Sequence, residues 1–384
     1  MGYLIIILTM LIIGSCSKSD PLYDETKEPQ MGLLWSYDTE HSSAPKAEPV
    51  LENGSVFITG GLNLHKVSND SGSRIWVTPI EGSASSLRNY RFIYNDSAII
   101  GLQPNKIHGF NMENGNLTWT ITFPDSIDML ELSMGARLGN YAYYNALNGY
   151  IIKADINTGM YEIYGKFPFY IRNINVFENG DLLIPFEDVH SEEPLSYTAV
   201  IGRWRPSTKA WVWQYKLNGQ GAFSYDYPLI ENNIVYTGLT SGFAAIDAET
   251  GSGIWRAYNQ MRVSSFFALS DDAIFINAGY FAYALDRHTG NELWRTQELG
   301  PASSTRIHYK NGYVYWGHHN GIAIFDAKTG ELVHAQRPEF GGYIWTSSMG
   351  PDRYFVQTST HLLAYELYEP EEELVHIDRN SDQK

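Results

Sequence analysis

The stretch AIDAETGSGIW, residues 245–255, decides the fold because versions of it return along the chain at nearly regular spacing. The two clearest returns are ALDRHTGNELW at residues 284–294 and IFDAKTGELVH at residues 324–334. Weaker copies lie upstream at residues 68–76, 111–119 and 155–163, and a degenerate copy at residues 205–213 has Lys209 where the glycine should be. The fourth residue after the glycine position falls at 76, 119, 163, 213, 255, 294 and 334, so seven copies are visible, 39 to 50 residues apart.

Each copy follows a run of β-branched and aromatic residues, and turn pairs such as Asn53-Gly54 and Asn311-Gly312 precede several of these runs. Such pairs predict β-hairpins. About 42 residues with four short strands correspond to one propeller blade. A lone four-stranded sheet cannot cover both of its faces, so it must stack on a neighbour. We therefore predict an all-β propeller.

The repeated motif has a structural interpretation. Its aspartate can accept hydrogen bonds from backbone N–H groups of the turn, and its glycine can adopt positive φ where the chain reverses. The tryptophan then lies on the outermost strand and can fill the gap to the next blade. A catalytic site would not need the same residues in every repeat. We assign this structural role to Asp155, Gly159, Asp247, Gly251, Trp255, Asp286, Gly290, Trp294, Asp326 and Gly330.

The two ends of the repeat region complement each other. Residues 31–37, MGLLWSY, are typical of an outermost strand, but no blade precedes them, and Trp35 lies 41 residues before Trp76. The last repeat lacks its fourth strand. If the first strand completes the last sheet, the ring has eight blades, and its closure removes the exposed edge that an open end would leave. Seven blades is the alternative. The propeller is predicted over residues 31–367.

Composition limits the function. The 384 residues contain 27 Lys and Arg against 43 Asp and Glu, and a formal charge of −16 argues against a nucleic-acid partner. One cysteine rules out an intramolecular disulfide, a Cys-based zinc site, an iron–sulfur cluster and c-type haem attachment. The aromatic share of 14% and the 34 glycines favour a turn-rich β protein.

The cysteine, Cys16, follows an apolar run at residues 3–13 that is too short to cross a bilayer but suits a signal-peptide core. The small residues before Cys16 resemble the lipobox of bacterial lipoproteins, which implies a signal peptide at residues 1–15 and lipid attachment at Cys16. An ordinary secretory signal is the alternative. Residues 16–30 are predicted to form a flexible tether and residues 368–384 an acidic tail. The residues after Cys16 favour the outer membrane, with the protein facing the periplasm or the cell surface.

The Asp-Ala-x-Thr-Gly-x-x-x-Trp unit resembles the pyrroloquinoline quinone (PQQ)-type propeller repeat, which quinoprotein alcohol dehydrogenases share. With a lipobox and a single propeller, the chain also resembles the BamB family of outer-membrane assembly factors. This resemblance implies a non-enzymatic scaffold that has a protein partner in the cell envelope and touches the membrane only through its lipid anchor. Two alternatives stay open: a surface lipoprotein that binds a glycan or small ligand, and a PQQ-dependent dehydrogenase.

No catalytic, cofactor or metal site is predicted. The quinoprotein resemblance implies calcium held by carboxylate and amide side chains, and often a vicinal disulfide, for which a second cysteine is missing. His318, His319 and the acidic stretch at residues 187–193 could together reach a divalent ion, but solvated loops are the preferred interpretation. Ser303 and Ser304 lack an accompanying oxyanion loop.

The predicted binding surface is one end of the ring. Loops between the second and third strands of each blade share this end with the segments that lead into each blade. Tyr, Trp and Arg contribute most of the energy of protein interfaces. The candidate residues on this face are Arg88, Tyr225, Tyr227, Arg262, His318, His319, Asn320, Tyr343 and Trp345.

Overall fold

A computed structural model describes residues 31–40, 44–45, 47–80, 91–103, 105–127, 135–146, 148–171, 173–190, 196–217, 228–239, 242–258, 263–278, 280–297, 305–318 and 321–370. These residues form 33 β-strands in eight sheets. Within the described ranges there is no helix long and apolar enough to span a membrane. Cys16 and the predicted signal peptide and tether lie outside the described residues, as does most of the predicted acidic tail.

Strand β1 (Leu33–Asp38) precedes the first blade. Blade 1 contains β2 (Val50–Glu52), β3 (Ser55–Gly60), β4 (Asn63–Ser68) and β5 (Arg74–Pro79). Blade 2 contains β6 (Ile93–Tyr94), β7 (Ala98–Gln103), β8 (Lys106–Asn111) and β9 (Leu117–Thr122). Blade 3 contains β10 (Ala136–Leu138), β11 (Tyr141–Asn145), β12 (Tyr150–Asp155) and β13 (Tyr161–Lys166). Blade 4 contains β14 (Tyr170–Ile171), β15 (Asn175–Val176), β16 (Leu182–His190), β17 (Ser196–Arg205) and β18 (Ala210–Leu217).

Blade 5 contains β19 (Leu229–Glu231), β20 (Ile234–Leu239), β21 (Gly242–Asp247) and β22 (Gly253–Tyr258). Blade 6 contains β23 (Val263–Leu269), β24 (Ala273–Ala278), β25 (Phe281–Asp286) and β26 (Glu292–Arg295). Blade 7 contains β27 (Ile307–Lys310), β28 (Tyr313–His318), β29 (Gly321–Asp326) and β30 (Leu332–Gln336). Blade 8 contains β31 (Thr346–Met349), β32 (Arg353–Gln357) and β33 (His361–Glu366).

Blade 8 is completed by the first strand of the chain. Its sheet has the order β1-β33-β32-β31, and β1 pairs with β33 from Leu33 opposite Tyr365 to Asp38 opposite His361. The ring therefore has eight blades, which confirms the closure predicted from residues 31–37, and not the alternative of seven.

In four blades, the turn before the outermost strand has the hydrogen bonds that the aspartate of the motif predicts. Asp247 Oδ1 accepts from the backbone N–H of Thr250 at 2.7 Å and from its hydroxyl at 2.8 Å, and Gly251 has φ 72°. Lys209, in the degenerate copy, adopts the same region with φ 51°. The aspartates with the same bonds are Asp155, Asp286 and Asp326.

The tryptophans of the outermost strands lie on the turn glycines of the next blade. The indole N–H of Trp255 donates to the Arg287 carbonyl at 3.0 Å, and a Cβ on Gly290 would come within 2.4 Å of the Trp255 ring. Glycine is therefore required there for space as well as for φ. Equivalent pairs are Trp35 with Gly72, Trp76 with Gly115, Trp119 with Gly159, Trp213 with Gly251 and Trp294 with Gly330.

The hydrophobic core is divided among the junctions between blades. Buried apolar side chains form eight clusters, each shared by two adjacent blades. Each sheet thus has both faces covered only because the ring is closed.

Candidate functional site

The antiparallel order of the strands gives the ring two different ends. The first-to-second turns and the Asp-Gly turns share one end, here called the turn end. The second-to-third loops and the segments that connect successive blades share the other, here called the linker end. The predicted binding surface is therefore the linker end.

Two of the predicted surface residues lie on the segment that leads into blade 8. Tyr343 is 57% exposed, whereas Trp345 is half-buried and its backbone N–H donates to the Gln357 carbonyl at 2.9 Å. Both precede β31, so they lie at the linker end. Six other candidates lie outside the described residues: Arg88, Tyr225, Tyr227, Arg262, His319 and Asn320.

His318 differs from the prediction. It is the last residue of β28, its side chain is only 1% exposed, and its ring lies 5.6 Å from that of Trp316. Pairing with Gly321 keeps it in the sheet, so it belongs to the core of the blade and does not present its side chain to solvent.

The acidic stretch predicted as a solvated loop in blade 4 also differs. Strand β16 continues to His190, and Glu187 pairs with Ala199 of β17 and is buried. The two strands are longer than their counterparts in other blades, and they extend toward the linker end. Residues 191–193 lie outside the described residues.

The inner strands of blades 2 to 5 enclose a cavity of about 300 Å³ in the central channel. Sequence reasoning did not single out its two arginines. Arg91 precedes the inner strand of blade 2, and Arg306 precedes the inner strand of blade 7 at the equivalent position. This repetition is a sequence signal from which Arg91 could have been identified. The cavity is lined by Arg91, Phe92, Ile93, Tyr94, Gly135, Ala136, Arg137, Asn175 and Leu229.

The two charged side chains that line this cavity are guanidinium groups, those of Arg91 and Arg137. The Arg137 guanidinium lies 5.9 Å from the centre of the Tyr94 ring, and its Nε donates to the Gly139 carbonyl at 3.0 Å. Burial, and next the carboxylate of Glu52, raises the pKa of Tyr94. Guanidinium groups offer donors and no acceptors, so a group that binds beside them must be an anion or a strong acceptor.

A second polar cluster lies where blades 7, 8 and 1 meet. Arg306 and Glu48 form an ion pair of 3.0 Å that passes across the inner edge of blade 8. His308 is buried, and its Nε2 lies 3.1 Å from the Ser347 hydroxyl oxygen. Burial, and next the charge of Arg306, lowers the pKa of His308 to about 3. His308 is therefore neutral at pH 7.

The described residues do not fit a calcium-bound quinone. No group of three or more His, Cys, Asp or Glu side chains that could hold a metal ion occurs in the part of the chain that the structure describes. The channel cavity contributes arginine, tyrosine and one amide, and calcium prefers several carboxylate and carbonyl oxygens.

Fold and repeat together define the class of protein: an eight-bladed β-propeller built from PQQ-like repeats. Within that class the chain resembles BamB. A family model described as "Outer membrane protein assembly factor BamB" matches residues 196–383. The crystal structure of BamB from Moraxella catarrhalis covers 88% of this chain and 100% of its own, with a TM-score of 0.68 and 13% identity.

Two curated relatives are enzymes. Tetrathionate hydrolase from Acidithiobacillus ferrooxidans is 23% identical over 274 residues, which are 68% of this chain and 46% of the enzyme. Quinohemoprotein alcohol dehydrogenase from Comamonas testosteroni is 23% identical over 236 residues, which are 55% of this chain and 30% of the enzyme. The chain thus spans less than half the length of either enzyme.

Proposed function

We propose that this protein is a non-enzymatic propeller scaffold of the bacterial outer membrane that binds a protein partner through its linker end, in a BamB-like role. The observation that carries the proposal is the match of residues 196–383 to the family model described as "Outer membrane protein assembly factor BamB". A single propeller of this size also covers the whole of the BamB structure, whereas the two curated enzyme relatives are more than twice as long as the part that matches.

The proposal includes the arrangement of the chain. Residues 1–15 are the signal peptide, Cys16 carries the lipid, residues 16–30 are the tether, residues 31–367 are the propeller and residues 368–384 are an acidic tail. Expression in a lipoprotein-processing bacterium fed a radiolabelled fatty acid tests the anchor. Label should enter the wild-type protein and not Cys16→Ala, which should be released from the membrane fraction. Equal labelling of both would refute the anchor.

The binding face can be tested by photo-crosslinking in the native envelope. A benzoylphenylalanine at position 343 is expected to crosslink to a component of the outer-membrane assembly machinery, because Tyr343 is exposed at the linker end. Lys328 is the matched control, since it is exposed on an Asp-Gly turn at the opposite end. Crosslinks from position 328 alone, or to no assembly component from either, would contradict the proposal.

A second candidate function rests on the channel cavity. Its volume of about 300 Å³ and its two arginines suit a small anionic ligand or an acidic glycan. A glycan array signal that Arg137→Ala abolishes would favour this function over the scaffold. Reconstitution with the quinone and calcium, followed by dye reduction with alcohols or sugars, tests for a dehydrogenase. Turnover would favour an enzyme over both the scaffold and the anionic-ligand function.

A further inference from the structure

Seven of the eight blade junctions are filled at the perimeter by a ring side chain. Six have a tryptophan on a turn residue of the next blade. At the junction of blades 7 and 8, where the last blade has no Asp-Gly turn, His334 stacks on Tyr368 with ring centres 5.8 Å apart. The junction of blades 3 and 4 is the eighth, and it is built differently.

The strand register explains the difference. Seven blades have an Asp-Gly-type turn. In six of them the bulge in the outermost strand lies one residue before the docking residue, which is the residue whose ring packs on the next blade. Trp255, for example, is the docking residue of blade 5 and pairs with Ala245. In blade 3 the bulge falls later, and Glu162 pairs with Lys153 at this position. Glu162 is exposed and forms an ion pair with Lys153, so a carboxylate takes the docking position, and the ring of β13 that reaches blade 4 is Tyr164, at the bulge.

A glycine widens the same gap. Gly165 pairs with Ile151, and the nearest atoms to a Cβ added to it would belong to the rings of Phe167, at 3.1 Å, and Trp204, at 3.5 Å. The residues that pair at the same place in the other blades all have side chains: Tyr37, Thr78, Ile121, Tyr215, Ala257, Thr296 and Gln336. The result is a cleft of about 400 Å³ between blades 3 and 4.

The walls of this cleft are aromatic. The Trp204 ring packs edge-on against Tyr164, with centres 6.4 Å apart, and against Phe167, with centres 5.3 Å apart. Trp211 lies 5.6 Å from Phe167 and completes the floor. Ring faces and edges of this kind hold another ring well.

The rim of the cleft carries one lysine that is available to a ligand. Lys209 lines the cleft, is exposed and forms no ion pair with any residue that the structure describes. The ammonium group of Lys166 instead lies 3.9 Å from the centre of the Tyr150 ring and donates to the Asn148 carbonyl, on the side of β13 that faces blade 2. In a chain of net charge −16, a lysine beside an aromatic cleft whose described lining residues include no carboxylate suits an acidic ligand.

The adjoining strand favours a protein segment as that ligand. Strand β13 is the outermost strand of its sheet, so its outward N–H and C=O groups are unpaired within the sheet. Ile163 on this strand is 53% exposed and Met160 just before it is 72% exposed. An extended peptide can satisfy the backbone groups and cover the apolar side chains together, whereas a sugar cannot.

We propose that the cleft between blades 3 and 4 is a docking site for an extended, acidic segment of another protein, which adds to the edge of β13 and inserts an aromatic side chain between Trp204 and Trp211. The site is separate from the linker end, so it does not depend on the function proposed above.

The test uses a fluorescein-labelled acidic peptide, NELWETQ, which copies residues 291–297 with glutamate in place of Arg295, because this segment places a tryptophan and a glutamate on an outermost strand of the protein itself. Fluorescence anisotropy with the full chain is expected to show at least about tenfold weaker binding when alanine replaces the tryptophan of the peptide. Gly165→Leu, which fills the cleft, should weaken binding of the tryptophan peptide by about tenfold or more.

Two further variants keep the test decisive. Thr122→Leu adds the same side chain to the exposed end of another outermost strand and should leave binding unchanged. Lys209→Asn removes a rim charge, tolerates positive φ, and should weaken binding about threefold even if Gly165→Leu fails to fold. The proposal is overturned if the two peptides bind alike, if neither binds at about 1 mM, or if a labelled acidic glycan binds in the cleft instead.

Discussion

Gly290 meets two separate requirements of the repeat, one on backbone conformation and one on packing. Its φ of 74° lies in the region that other residues enter at a cost, and the Trp255 ring occupies the space that a side chain would need. Gly312 has a similar φ, 83°, but nothing within 4 Å of the position of a Cβ. The two glycines therefore separate the backbone requirement from the packing requirement.

We predict that Gly312→Ala lowers the free energy of unfolding by about 1 kcal/mol, because only the left-handed backbone is penalised. Gly290→Ala should lower it by about 3 kcal/mol, because the methyl group also displaces the tryptophan. Urea unfolding followed by circular dichroism measures both. Equal losses would mean that the glycine is retained for its backbone alone.

His308 makes the protein sensitive to acid. Its pKa is lowered to about 3 in the folded protein, against an ordinary value near 6.5. Below pH 6.5 the unfolded chain binds a proton that the folded protein excludes. Stability is therefore lost as the pH falls from about 6.5 toward 3, by up to about 1.4 kcal/mol per pH unit.

We predict that His308→Gln, which keeps a donor for Ser347, reduces the slope of the unfolding free energy against pH between pH 6 and 4. The reduction should correspond to the uptake of about one proton fewer on unfolding. His288→Gln, on an exposed turn, is the control. An unchanged slope in His308→Gln would show that other groups cause the acid sensitivity.

Some residue roles were predictable and others were not. The turn aspartates and glycines recur at fixed offsets, and local hydrogen bonding dictates their conformation. His318 has no such local determinant, because its burial depends on how β28 packs in the assembled ring. The channel position of Arg137 likewise depends on eight short inner strands meeting at one axis.

At the scale of the strand, the docking tryptophans connect one sheet to the next. Trp294 is 8% exposed and its indole N–H donates to the Ala327 carbonyl at 2.9 Å, whereas the preceding Leu293 is 51% exposed. Leu293 is the bulged residue of the strand and faces solvent, whereas Trp294 faces blade 7.

Trp294→Ala should lower the free energy of unfolding by about 3–5 kcal/mol, because it leaves a cavity at a junction and removes a hydrogen bond. Leu293→Ala, one residue away on the same strand, should change it by less than about 0.5 kcal/mol. Denaturant midpoints measure the difference. Comparable losses from both would indicate that the strand, and not the docked ring, holds the junction.

The sequence predicted the docking position in six blades but misplaced it in blade 3. Counting four residues from Gly159 gives Ile163, whereas the structure pairs Glu162 at that position and shifts the bulge toward the end of β13. Residue counts cannot locate a bulge, because inserting it one or two residues later leaves the sequence spacing unchanged. The cleft beside blade 4 follows from this shift and was therefore not predictable.

For the whole molecule, closure depends on a strand from the start of the chain. The number of blades was predictable because residues 31–37 supply an outermost strand that the last repeat lacks. The repeat could not predict which side chains line the channel, because the inner strands are short and differ between blades. The candidate sites lie in these irregular parts, so the fold could be predicted more fully than the function.

The most direct test of the closed ring is a disulfide between β1 and β33. Asp38 and His361 pair next to the hydrogen bond from Thr39 N to Thr360 O, which places them at a non-hydrogen-bonded position where Cα atoms are about 4.5 Å apart. In a Cys16→Ser background, Asp38→Cys with His361→Cys should oxidise to one intramolecular disulfide. Its thermal midpoint should exceed that of the reduced form by about 5–10 °C, since the bond closes a loop of over 300 residues.

Asp38→Cys with Glu366→Cys, offset along the strand, should keep both thiols free. Failure of the first pair to crosslink, or equal crosslinking of the second, would contradict the closed eight-bladed ring.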